Sequence, residues 1–163
     1  MAIEVFVGIG SNVEPERRVR QAVQLLRERF GTLRLSPVYR NAAVGFEGDD
    51  FLNLVAAFET DLDVAPLNAA LDEIELACGR ERGAARFAPR TMDLDLLLYG
   101  DYVSREPPVL PRQEILKYAF MLRPLADLAP NRRHPGTDST YGELWASYPG
   151  NKGGMEPVPL SGL

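Results

Sequence analysis

Asp93-Leu94-Asp95-Leu96-Leu97-Leu98-Tyr99 follows directly on Arg80-Glu-Arg82-Gly-Ala-Ala-Arg86-Phe87-Ala-Pro89-Arg90-Thr-Met92, and its reading decides the fold. The apolar run is short and ends at Gly100, which marks a strand rather than a helix. Alternate residues of a strand share a face, so Asp93 and Asp95 lie together, roughly 6–7 Å apart at about 3.3 Å per residue. Two like charges so placed either face water or are neutralised by a cation or an arginine. The loop before them carries Arg80, Arg82, Arg86 and Arg90. Arginine offers phosphate oxygens a planar fork of donors, and Mg²⁺ is commonly held by one or two carboxylates plus substrate phosphates. Anion binding and hard-cation binding therefore fall side by side.

Working outward, Leu67, Leu71, Ile74 and Cys78 recur at helical spacing between Pro66 and Gly79, which predicts a helix from about Ala65. Glu75 falls near its C-terminal end, where a carboxylate opposes the helix dipole and invites an arginine or ligand partner. Phe51 to Thr60 alternates as a strand, with Leu52, Leu54, Ala56 and Phe58 toward the core. Phe51 and Asn53 take the other face. An aromatic ring and an amide there either grip a planar heterocycle by stacking and edge hydrogen bonds or cover a core edge beside a turn. Asn41 to Asp50 is a loop, long for a hairpin. Leu33 to Arg40 alternates as a further strand. Ile3 to Ile9 is the first strand, and Val19, Val23, Leu26 and Phe30 between Pro15 and Gly31 mark the first helix. Between them, Gly10-Ser-Asn12 lacks the Gly-x-x-x-x-Gly-Lys spacing of a phosphate loop and reads as a tight turn or a weak look-alike. The order β-α-β-β-α-β predicts an α+β chain with a ferredoxin-like core, an antiparallel sheet with helices packed on it.

Beyond Gly100 the pattern weakens. Val109 to Pro111 reads as an edge segment, Arg112 to Tyr118 as a turn or short helix, and Phe120 to Leu128 as a helix interrupted at Pro124. His134, the only histidine, has no second histidine or cysteine near it in sequence and makes a poor metal ligand. Residues 1–148 are expected to form one domain, followed by a Gly- and Pro-rich arm over 149–163. The net charge of −5 argues against a nucleic-acid partner. No apolar run approaches the roughly 18 residues of a membrane span, and the N-terminus reads as a strand rather than a signal peptide. Cys78 is the single cysteine, which excludes an internal disulfide and suits a reducing cytoplasm. A cytoplasmic monomer acting on small molecules is expected.

Several short motifs recur in one order: Gly10-Ser-Asn12, Tyr39-Arg40, Asp50-Phe-Leu-Asn53, Ile74-Glu75, Gly79-Arg80-x-Arg82, Pro89-Arg90-Thr-Met-Asp-Leu-Asp95, Leu110-Pro111 and Ala119-Phe120-Met-Leu-x-Pro-Leu125. Each is weak alone, but the ordered set from about residue 3 to residue 130 resembles the 6-hydroxymethyl-7,8-dihydropterin pyrophosphokinases of folate biosynthesis. The family fold, a ferredoxin-like α+β core, agrees with the order of elements. The resemblance implies transfer of the terminal diphosphate of ATP to the pterin hydroxymethyl group, releasing AMP. It implies that Asp93 and Asp95 hold two Mg²⁺ ions, and that Phe51 and Phe120 stack on the pterin ring. Asn53 reads the ring edge, with Asn41, Ala42, Val44 and Gly10 completing the pocket. Arg80, Arg82 and Arg90 match catalytic loop arginines, and Glu75 matches a carboxylate at the nucleotide. The loops 41–50 and 80–91 match segments that close over the substrates and exclude water.

The chain also departs from the family pattern. Phe87 stands for a tryptophan, which keeps a ring and loses an indole donor. Asn41-Ala-Ala43 replaces Thr-x-Pro, and Pro111-Arg112 replaces Pro-His. Lys117-Tyr118 stands where an arginine precedes the phenylalanine. The family residues at the last two places contact ATP phosphates, so Arg112 and Lys117 are the expected replacements. The alternatives are a phosphotransferase for a related heterocycle and a non-catalytic pterin- or nucleotide-binding paralogue.

Overall fold

The computed structural model describes residues 2–41, 50–79 and 92–163. In chain order the elements are β1 (Ile3–Ser11), α1 (Pro15–Phe30), β2 (Arg34–Leu35), β3 (Tyr39–Asn41), β4 (Phe51–Thr60), α2 (Val64–Ala77) and β5 (Asp93–Tyr99). Then come α3 (Glu114–Lys117), α4 (Ala119–Leu128), α5 (Tyr141–Ala146) and β6 (Met155–Pro157). The strands pair in the order β5-β1-β4-β3-β6, with β2 also on β4, and every pair is antiparallel. This is the ferredoxin-like core expected from the sequence, with one strand added at the edge. Among the described residues no helix is long and apolar enough to cross a membrane.

Period-two alternation divides the side chains of the sheet between two faces. Val5, Val7 and Ile9 of β1, Leu52, Leu54, Ala56 and Phe58 of β4, and Leu94 and Leu96 of β5 face α1 and α2. They bury Val19, Val23 and Leu26 of α1 and Leu67, Leu71 and Ile74 of α2, which recur at the spacing of one helical face. On the other face Phe6, Val55, Ala57 and Leu98 pack against Leu122 and Leu125 of α4 and Tyr141 of α5. His134 belongs to this second layer, buried with its Nδ1 2.8 Å from the Tyr141 hydroxyl.

Three expectations change. The strand expected over Leu33–Arg40 is two short ones, because Pro37 lacks a ladder donor and the register on β4 slips by one residue between Leu35 and Tyr39. There the Ser36 N–H donates to the Val55 carbonyl (2.9 Å) while its hydroxyl accepts the Val55 N–H (2.8 Å), so the ladder is kept by a side chain. The helix expected to be interrupted at Pro124 runs unbroken over Ala119–Leu128. The hydrogen bond that Pro124 cannot donate is offset by burial of Pro124 itself beside Leu122 and Leu125. The arm after residue 148 adds β6 to the sheet, with Asn41 opposite Met155 and Tyr39 opposite Pro157.

Candidate active site

Two glycines of β1, an inner strand of the sheet, make room for the site. Phe6, Gly8 and Gly10 point to the second face in turn, so the side-chain cover stops where the glycines begin. Gly10 lies between Asn53 of β4 and Asp93 of β5, and Gly8 between Val55 and Asp95. The hollow is a cavity of about 270 Å³, walled by Asn41, Phe51, Asn53, Asp93, Asp95 and Phe120 among others. A Cβ added at Gly10 would meet the Asn53 Oδ1 at 2.6 Å, closer than such atoms approach, so the Asn53 amide uses the space a side chain would fill.

One wall is aromatic and amide. Asn53 Nδ2 donates to Asn41 Oδ1 in a short hydrogen bond, and both amides are buried. Phe51 opens β4 opposite Asn41. Phe120, in the first turn of α4, stacks on Tyr118 with ring centres 5.0 Å apart and planes 23° from parallel. A flat heterocycle entering here meets rings on its faces and amides at its edge.

The facing wall is charged. Asp93 and Asp95 alternate with the buried Leu94 and Leu96, so both carboxylates reach the cavity from one side of β5. The register of β1 and β5 shifts between Phe6 and Val7: Phe6 faces Leu98, Val7 faces Leu96, and Leu97 is the extra residue of a β-bulge. The Leu97 carbonyl accepts the Arg112 N–H at 2.9 Å. That bond fixes Arg112 where its guanidinium spans two carboxylates, 3.5 Å from Asp95 and 3.5 Å from Glu114. The Arg112 Nε is itself buried without a hydrogen bond. Glu75, 3% exposed, reaches β5 from α2 and accepts the Leu94 N–H at 2.7 Å. Burial, with Asp93 and Asp95 adding like charge, pushes its carboxyl up to about 7 against the pull of that hydrogen bond.

Gly10, Asn41, Phe51, Asn53, Phe120, Asp93 and Asp95, all singled out in the sequence, thus line one cavity. Glu75 and Arg112 stand against the same strand. Lys117 does not enter the cavity lining; its Nζ lies 5.2 Å from the centre of the Tyr118 ring, and Tyr118 is the residue that lines the wall. Ala42, Val44, Arg80, Arg82 and Arg90 lie outside the described residues. Gly8, Glu114 and Met121 line the cavity without having been singled out, and Tyr118, noted only as a departure from the family pattern, lines it too. The alternation Phe6-Gly8-Gly10 was the available signal for Gly8.

The donor set suits a hard divalent cation. Two carboxylates on one strand face offer oxygen ligands alone, and the described residues contain no group of three His, Cys, Asp or Glu that could close a site. Such a pair leaves coordination positions to water and phosphate, as Mg²⁺ requires and a closed zinc site does not.

Comparison with known proteins identifies the family. The family model for 7,8-dihydro-6-hydroxymethylpterin-pyrophosphokinase matches residues 6–130. The chain is 40% identical over 141 residues to 2-amino-4-hydroxy-6-hydroxymethyldihydropteridine pyrophosphokinase of Pseudomonas aeruginosa, covering 83% of this chain and 86% of that protein. It is 34% identical over 134 residues to the protein of the same name from Aquifex aeolicus, covering 80% and 83%. Among solved structures, Plasmodium falciparum HPPK-DHPS superposes with a TM-score of 0.75 at 13% identity, over 91% of this chain. The chain spans 44% of that longer protein, and the likeness speaks for the fold. With the match running from β1 through the end of α4, the chain belongs to the 7,8-dihydro-6-hydroxymethylpterin-pyrophosphokinase family.

Proposed function

We propose that the chain transfers the terminal diphosphate of ATP to the hydroxymethyl group of 6-hydroxymethyl-7,8-dihydropterin, releasing AMP, in folate synthesis. The observation that carries this reading is the pairing of two unlike walls across one cavity: Phe51, Asn53, Asn41 and Phe120 on one side, Asp93 and Asp95 on the other. Phe51 and Phe120 would sandwich the pterin, and the Asn53 and Asn41 amides would read the edge of its ring. Both amides are buried and bonded to each other, so a ring edge that matches their hydrogen-bonding groups is favoured over one that does not, which is a source of specificity. Asp93 and Asp95 would hold two Mg²⁺ ions, which neutralise phosphate charge and orient the phosphates when bound.

The rest of the reaction is positioning. The hydroxymethyl oxygen gives up its proton to water and forms a bond to the β-phosphorus of ATP while the bond from that phosphorus to the α,β-bridging oxygen breaks, and AMP leaves with the bridging oxygen. Such transfers ask a protein for alignment and compensating charge rather than covalent chemistry. Arg112 supplies a fixed guanidinium beside Asp95, suited to a phosphate oxygen. Lys117, Arg80, Arg82 and Arg90 are proposed to add positive charge along the phosphates, and Glu75 to bound the nucleotide at the outer side of β5. Ala42 and Val44 are proposed to complete the pterin pocket. The acidic balance and the single Cys78 support a cytoplasmic protein that acts on small molecules, without nucleic acid or membrane as partner, and a monomer is proposed.

The test is formation of AMP and pterin diphosphate from ATP, Mg²⁺ and the hydroxymethyl-dihydropterin, beside Asp95→Ala. Pterin-dependent AMP, lowered by roughly 10²-fold or more in the variant, is expected for a group that organises transition-state charge. Pterin binding without AMP would sink the transfer reaction. Metal-dependent nucleotide binding without pterin binding would move the acceptor to another heterocycle.

A further inference from the structure

We infer that the C-terminal arm, Met155 to Leu163, is a positioning strap for the pterin half of the cavity; the inference rests on the pterin reading of Asn41 and Asn53. The family match ends at residue 130, so nothing in that match speaks for the arm. Its geometry does. β3 has only three residues, Tyr39 to Asn41, and a strand so short holds its place only through its neighbours. On its inner side it pairs with β4, Asn41 opposite Phe51 and Tyr39 opposite Asn53. On its outer side it would be a bare edge, and β6 covers it residue for residue, Asn41 opposite Met155 and Arg40 opposite Glu156.

The last residue of this doubly held strand is Asn41, whose side-chain oxygen accepts the Asn53 amide in the cavity wall. The backbone position of Asn41 therefore sets the direction in which the Asn53 amide points. The arm is anchored independently of this contact. The Val158 N–H donates to the Val38 carbonyl at 2.8 Å, and the Ser161 carbonyl accepts from Arg20 Nε of α1 at 2.9 Å. Val158, Leu160 and Leu163 pack against the core beneath α1. The strap thus runs from α1 to β3 and fastens both.

The register also says which residue to change. Hydrogen-bonded pairs alternate along an antiparallel ladder, so with Val158 bonded to Val38 the next bonded pair is Glu156 with Arg40. Pro157 falls between them, where a strand N–H points away from the partner and proline is tolerated. Glu156→Pro therefore removes a ladder donor and leaves Val158, Leu160 and Leu163 in place. Asp93 and Asp95 stand on β5, separated from β3 by β1 and β4, and should not feel the change.

The experiment compares the parent chain, Glu156→Pro and a chain ending at Gly154. It measures affinity for 6-hydroxymethylpterin, affinity for a non-hydrolysable ATP analogue with Mg²⁺, KM and kcat, and amide exchange over Tyr39–Asn41 and Phe51–Asn53. The expected result is a pterin affinity lower by about tenfold, the size of one lost hydrogen bond, with nucleotide affinity within about twofold of the parent. Pterin KM rises and kcat at saturating pterin holds, and exchange quickens at Tyr39–Asn41. If the shorter chain does not fold, Glu156→Pro alone carries the test. Pterin and nucleotide affinity falling together would mean general loosening and overturn the inference, as would no change in either exchange or pterin affinity. Failure of the parent to bind pterin would sink the functional reading, while faster exchange in Glu156→Pro would still report the strap.

Discussion

The two faces of this sheet are made by the same strands and differ in what covers them. On one, α1 and α2 bury Val5, Val7, Ile9, Leu52, Leu54, Ala56 and Phe58 in an apolar layer. On the other, α4 and α5 cover Phe6, Val55, Ala57 and Leu98, and the cover ends at Gly8 and Gly10. Beyond that line the strands carry Asn53, Asp93 and Asp95 instead of aliphatic side chains. A carboxylate or amide sealed under a helix would cost several kcal/mol unless partnered; buried Asn53 has the Asn41 amide, and Asp93 and Asp95 stand where the cover stops. The difference teaches that stability and binding are separable here by face.

The largest effect is expected on the sealed face. Leu26 of α1 is fully buried against the sheet, and Leu26→Ala should cost about 2–5 kcal/mol for lost burial plus the cavity left behind. Denaturant unfolding reads this directly. The folded fraction should bind pterin and nucleotide with parent affinities. A matched loss of pterin affinity would break the separation of faces.

Next comes Glu75, which spans the two regions: it rides on α2 but bonds the strand that carries the aspartates. Its carboxyl is raised from 4.5 to about 7, first by burial and then by Asp93, Asp95 and Asp72. Below pH 4.5 both folded and unfolded chains hold this proton, and stability does not depend on pH through it. Between 4.5 and 7 the unfolded chain has released it while the folded chain keeps it, so stability falls as pH rises and levels off above 7. The loss is on the order of 3 kcal/mol, up to about 3.5, at about 1.4 kcal/mol for each pH unit separating the folded and unfolded values. Glu75→Gln keeps an acceptor for the Leu94 N–H and should flatten that slope, as seen by urea unfolding at about pH 5 and about pH 8. An equal slope in parent and variant would remove Glu75 as its source.

The sealed face was legible in the sequence because both of its periods are local. Leu67, Leu71 and Ile74 announce one helical face, and Leu52, Leu54, Ala56 and Phe58 one strand face. Asp93 with Asp95, and Phe51 with Asn53, were legible for the same reason: alternation places each pair together whatever else the chain does. What escaped depends on partners distant in sequence. The bulge at Leu97 exists only in the pairing of β5 with β1, and Arg112 reaches Asp95 through it. The unbroken path of α4 through Pro124 depends on burial among Leu122 and Leu125. The arm could be read as an arm, but β6 needed an edge to join, and that edge appears only once Ser36 and Pro37 divide the expected strand. Glu114, Tyr118 and Met121 join the cavity because α3 and α4 fold back onto the sheet, which no local spacing records.

The smallest effect expected is at Arg112, and it sharpens the comparison within the open half of the second face. Arg112 lies 3.5 Å from Asp95 and 3.5 Å from Glu114, and its backbone is tied to Leu97 at the bulge. A guanidinium on Asp95 competes with any cation for that carboxylate, yet the same guanidinium would favour a nucleotide phosphate. The two consequences have opposite sign, which makes them easy to separate. A partly exposed pair of this kind is worth up to about 1 kcal/mol, so Arg112→Gln should tighten binding of Mn²⁺ alone by up to about fivefold. The same change should weaken binding of the non-hydrolysable ATP analogue without metal. Metal binding followed by electron paramagnetic resonance, with and without the analogue, reads both. If Mn²⁺ binds the variant no better than the parent while the analogue still weakens, Arg112 serves the phosphates without restraining the metal site. If Mn²⁺ fails to bind even the parent with the analogue present, the fault lies with Asp93 and Asp95 as metal ligands rather than with Arg112.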